Sequence, residues 1–144
     1  MILVDTTVLI YSVGTDHDLR SPCRDLLRLV EEGRVRATTT VEVLQEFADV
    51  QARRRSRADA VAVARNAAIG LSPLTHPEFE DLTEGLELFR TFERLGAFDA
   101  VLAASALRQG WALASADVVF EGVQGLRYLN PASSAFLDEA REAG

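Results

Sequence analysis

The first five residues, MILVD, place the strongest limit on the fold. Met1 to Val4 are apolar, and Ile2 and Val4 are β-branched, which is the pattern of a short buried strand. The strand stops at Asp5. An ionised carboxylate at the end of a buried strand is costly unless a cation, a set of hydrogen-bond donors or a metal ion meets it. The rest of the chain has to supply one of these.

Further elements follow at regular intervals. Residues 21–32 (SPCRDLLRLVEE) read as a helix with Ser21 as N-cap, Pro22 in the first turn and Leu26, Leu27 and Val30 on one face; Gly33 ends it. A second strand is expected over 35–39, helices over 40–55 and 57–69, and a short strand over 71–75. Pro77 opens a helix over about 78–94, and Gly96 breaks it. A helix over 98–109, strands over 111–115 and 126–129, and a terminal helix over 132–142 complete the chain. Strands separated by helices imply a parallel sheet covered on both faces. Ligands in such sheets bind beyond the carboxyl ends of the strands, where Asp5 sits.

With 144 residues, 48% of them hydrophobic, the chain fits one domain with a full core. No segment has the roughly 18 consecutive apolar residues of a membrane span, and the N-terminus lacks the pattern of a secretory leader. Cys23 is the only cysteine, which excludes an intrachain disulfide and a cysteine-based zinc site; as a lone thiol it reads as an apolar helix residue. A cytoplasmic protein with no membrane partner is expected. The net charge of −7 argues against a general phosphate-coating binder. It does not exclude an enzyme that grips a few phosphates through metal ions.

Three further acids resemble Asp5 in their setting. Asp117 follows the strand Ala112-Leu113-Ala114-Ser115-Ala116, so two strands end in an acid. Asp99 opens the uncharged run AVLAASAL, a helix expected to be buried all round, which should place Asp99 deep in the fold. On the 40–55 helix, Val43, Leu44, Phe47 and Val50 mark the buried face. At about 100° per residue, Glu46 falls at the edge of that face, while Glu42 and Asp49 turn toward solvent. Four converging carboxylates without lysine partners would repel one another strongly. A hard cation such as Mg²⁺ resolves this and turns the site from anion-repelling to phosphate-binding.

Five stretches together carry a family resemblance: ILVDTTVLIY at the start, TTTVEVLQEF at 38–47, FDAVLAASAL at 98–107, ALASADVVF at 112–120 and GLRYLNP at 125–131. The chain resembles PIN-domain ribonucleases, specifically the VapC-type toxins of bacterial type II toxin–antitoxin pairs. The resemblance spans almost the whole chain and implies a three-layer α/β/α PIN-like domain, 1–144, with a central parallel sheet of four to five strands. It maps the family's acidic quartet onto Asp5, Glu46, Asp99 and Asp117, with Thr6 and Ser115 as supporting hydroxyls. It implies a Mg²⁺- or Mn²⁺-dependent endoribonuclease, an RNA substrate, a homodimer and a VapB-type antitoxin partner. Thr7 departs from the family, which often has Asn there; its hydroxyl can still hydrogen-bond Asp5.

Arg53, Arg54 and Arg55 form the densest basic patch and are candidates for RNA phosphate contact. Their bland reading is a solvated helix C-terminus. A receiver domain needs a lysine that the chain lacks. A haloacid-dehalogenase-type phosphatase needs an acid at position 7, which is Thr. The alternative from another class is a catalytically inert PIN-fold interaction module.

Overall fold

The computed structural model describes residues 1–144. Four strands form one sheet: β1 (Ile2–Val4), β2 (Ala37–Thr38), β3 (Ala112–Ala114) and β4 (Arg127–Leu129). All pairs are parallel and the order is β2-β1-β3-β4. Ile2 aligns with Ala37 on one side and with Ala112 on the other. Every residue of β1 and β3 is buried, which explains why these strands are continuously apolar rather than alternating.

Seven helices cover the sheet in a three-layer α/β/α arrangement: α1 (Thr6–Val13), α2 (Arg20–Glu31), α3 (Val41–Arg54), α4 (Arg57–Gly70), α5 (Phe79–Thr91), α6 (Ala97–Gln109) and α7 (Phe136–Ala143). Helices α1 to α4 pack among themselves, and α5 pairs with α6, which lies against β3. Small residues make the α6 packing close: Ala100, Ala103, Ala104 and Ala106 are all fully buried. Gly85 of α5 sits so near α6 that a Cβ there would lie 2.7 Å from Val101 Cα, so only glycine permits this approach. Gly110, at φ 65°, turns the chain out of α6 into β3.

Several expectations change. Helix α1 starts directly after Asp5, in a stretch given no element above. Asp5 caps it by accepting a bond from the Thr7 amide, which overrides the strand preference of its threonines and valines. Residues 71–75 are not a strand: Pro73 cannot donate to a ladder, and only Thr75 bridges, to Thr40. The sheet therefore has four strands. Ser21 does not cap α2, which begins one residue earlier beyond Leu19 with no side-chain cap. A 3₁₀ segment, Val118–Gly122, follows Asp117.

Candidate active site

Strands β1 and β3 are neighbours, and the chain leaves them toward opposite edges of the sheet. That divergence opens a crevice beyond their carboxyl ends. Asp5 lies there, 3% exposed, with its amide donating to the Ala114 carbonyl at 3.0 Å. Its Oδ2 accepts from the Thr7 hydroxyl at 2.7 Å, the Ser115 hydroxyl at 2.7 Å and the Thr7 amide at 3.3 Å. The two hydroxyls also stand 3.1 Å apart. Each has a single proton, and both protons are used on Asp5. Thr7 Oγ1 in turn accepts from the Ala116 amide at 2.9 Å, and Ser115 Oγ from the Asp117 amide at 3.0 Å. This network ties the end of β1 to the end of β3.

The other carboxylates arrive from separate elements. Asp117 caps the 3₁₀ segment, its Oδ1 accepting from the Val119 amide at 3.1 Å. Glu46 stands on the exposed side of α3, and Thr6 reaches it: Thr6 Oγ1 donates to Glu46 Oε2 at 2.5 Å. Asp99 lies in the first turn of α6 and is half-buried, less deep than its neighbours' apolarity implies, because the preceding Phe98 faces solvent.

No basic side chain neutralises this group. Burial raises the Asp5 carboxyl above its ordinary value, against the pull of the Ser115 and Thr7 bonds. Asp99 is pushed up to about 6, first by burial and then by the charges of Asp5, Asp117 and Glu46, with the Gly96 amide opposing. The four acids are thus electrostatically coupled. They do not form a closed cage: no three Asp, Glu, His or Cys side chains are grouped tightly enough to enclose an ion by themselves.

The basic candidates lie elsewhere. Arg53 and Arg54 are exposed in the last turn of α3. Arg55, at its C-cap, donates to the Val13 carbonyl that closes α1. Cys23 is fully buried and its thiol is pushed up to about 12 by burial. Sequence reasoning overlooked one buried acid altogether: Asp81 of α5, 1% exposed, bonded to Arg108 of α6 at 2.6 and 3.0 Å. It lies in the acidic run Glu78–Asp81, where nothing in the sequence separates it from solvated neighbours; the structure shows it closing a capping box with Glu78.

The sequence is similar to those of known proteins. Ribonuclease VapC7 of Mycobacterium tuberculosis is 47% identical over 133 residues, covering 91% of this chain and 92% of that protein. Ribonuclease VapC23 of Mycobacterium tuberculosis is 35% identical over 112 residues, covering 76% of this chain and 86% of that protein. The family model of the PIN domain matches residues 2–126. The chain belongs to the PIN-domain family.

Proposed function

We propose that this protein is a divalent-metal-dependent endoribonuclease that acts as the toxin of a VapBC-type toxin–antitoxin pair in the cytoplasm. The observation that carries the reading is a cluster of four carboxylates, one almost wholly buried, that no cation of the chain compensates. Both relatives named above are ribonucleases by name and match most of this chain.

The donors present fit Mg²⁺ or Mn²⁺. All four are carboxylates, the hard oxygen donors that such an ion takes alongside several waters and substrate phosphate oxygens. Asp5, Asp99, Asp117 and Glu46 would hold it. A divalent ion there acidifies water and neutralises charge that builds on a phosphate. Asp5 meets its hydroxyl and amide donors through Oδ2, which leaves the lone pairs of Oδ1 for the ion. Thr7 and Ser115 fix that carboxylate in one orientation. Thr6 restrains Glu46, which otherwise stands on an exposed helix face. Asp99 would gain most from the ion, because burial and the charges of Asp5, Asp117 and Glu46 raise its carboxyl while no cation is present.

Two surfaces support the partner assignments. An apolar groove of about 190 Å³ between α1, α2, α3 and α4 is lined by Leu9, Val13, Leu27, Val30, Phe47 and Val63. It suits an apolar segment of the antitoxin. On α5, Phe79, Leu82, Leu86 and Phe89 are 76%, 45%, 48% and 46% exposed. An exposed apolar helix face of this kind can pack against the same face of a second copy. Mapping new RNA 5′ ends after expressing this protein beside its Asp5→Asn copy tests the function. Discrete new ends, absent from the Asp5→Asn cells, are expected. The inert-module alternative is favoured if neither protein produces them.

A further inference from the structure

A second cavity, of about 480 Å³, opens beside the carboxylate cluster. One wall is the 91–95 stretch, which leads through Gly96 to Asp99. The other is the 3₁₀ segment that Asp117 caps. Phe92, Leu95, Val118 and Val119 give it apolar sides, and Val118 stays 53% exposed. Gly122 lies against the Phe92 ring, where a Cβ would be 3.8 Å from the ring edge. Glu93, Arg94 and Glu121 also line it, all exposed, and none of the three enters an ion pair.

We propose that this cavity receives the base of the RNA nucleotide next to the cleaved phosphodiester and that it selects guanine. The proposal rests on the ribonuclease reading above. Both walls are continuous with acids of the cluster: Val118 follows Asp117 directly, and Leu95 leads through Gly96 into the first turn of α6, which carries Asp99. Apolar walls with an aromatic ring suit the flat face of a splayed-out base. The two carboxylates on the lining, Glu93 and Glu121, favour a base edge that presents donors, and Arg94 is left for a phosphate oxygen. Guanine alone offers two adjacent donors, N1–H and the exocyclic amino group, that one carboxylate accepts together. Adenine and cytosine place a ring acceptor beside their amino group. Uracil flanks its single N–H with two carbonyls. Glu121 is assigned the guanine edge and Arg94 the adjoining phosphate.

Fluorescence anisotropy tests this with two labelled single-stranded RNAs in calcium buffer: uridines with one central guanosine, and uridines alone. The wild-type chain is expected to bind the guanosine RNA about tenfold more tightly. Glu121→Gln should bring the two affinities together. Arg94→Ala should weaken both RNAs alike and reduce the salt slope by about one. Equal binding of the two RNAs by the wild type, no binding of either, or an unchanged preference in Glu121→Gln overturns the assignment. A guanosine preference that Glu121→Gln removes, in a protein that cuts no RNA with Mg²⁺ or Mn²⁺, upholds the cavity and defeats the nuclease reading. Cleavage without base preference does the reverse.

Discussion

Asp5 and Asp81 are buried to nearly the same degree, 3% and 1% exposed, and their surroundings act on them in opposite directions. Asp81 meets the Arg108 guanidinium through two bonds, and its carboxyl is held below the ordinary range. Asp5 meets hydroxyls and an amide but no cation, and burial drives its carboxyl up. One ion pair joins α5 to α6 and is complete within the chain. The other carboxylate lies at a crevice among three more acids and is left needing positive charge. A buried acid with its own arginine is structural; a buried acid without one is prepared for a cation from outside.

Exchange of each acid for its amide separates the two roles most sharply. Asp5→Asn should reduce RNA cleavage by about a thousandfold or more while the protein stays folded, because it removes a buried charge that nothing in the chain neutralises. Cleavage assays with a melting curve on the same sample check both halves. Asp81→Asn should do the opposite. It strands Arg108 and should lower Tm by roughly 5 °C, with cleavage kept at temperatures where the protein is folded.

Second-rank effects belong to the residues that orient Asp5. Thr7→Val removes the hydroxyl bond to Asp5 and the acceptor of the Ala116 amide. Ser115→Ala removes the corresponding bond from β3. Each should weaken Mn²⁺ binding about tenfold or more, read by calorimetric titration. Thr7→Asn, which carries the residue common in the family, should lose less.

The pH dependence differs in sign between the two regions. Asp99 has a raised carboxyl, at about 6 against an ordinary 3.8, so its ionised form opposes folding. Without divalent metal, its contribution should raise Tm as pH falls from about 7 to about 5. Asp99→Asn should flatten that rise. Asp81 is held low, so its contribution is complete above its ordinary value and is lost as pH falls below it. Scanning calorimetry of both variants from about pH 7 to about pH 2 measures the two signs separately. The smallest effect is expected from Arg53 and Arg54. Their charge reversal should leave melting unchanged and reduce cleavage only modestly, most visibly in its salt dependence.

How far the sequence could be read follows from the same physics. The β1 and β3 strands were legible because buried parallel strands are continuous apolar runs, and each points to the acid beyond its end. Helical phase put Glu46 at the edge of the buried face of α3; its side chain is exposed, as are Glu42 and Asp49, and Thr6 reaches it there. Helix α1 was not legible, because its β-branched residues favour a strand; the helix depends on the Asp5 cap. The Asp81–Arg108 pair was not legible either. Its partners are 27 residues apart, and only the close α5–α6 approach at Gly85 brings them together. Contacts between distant segments leave no local period in a sequence.

The most direct measurement is a calorimetric titration of Mn²⁺ into the wild-type, Asp5→Asn and Asp81→Asn proteins at neutral pH. Saturable binding to the wild type and to Asp81→Asn is expected, with its loss in Asp5→Asn. No binding to the wild type, or equal binding to Asp5→Asn, would contradict the claim that the uncompensated carboxylates form a cation site.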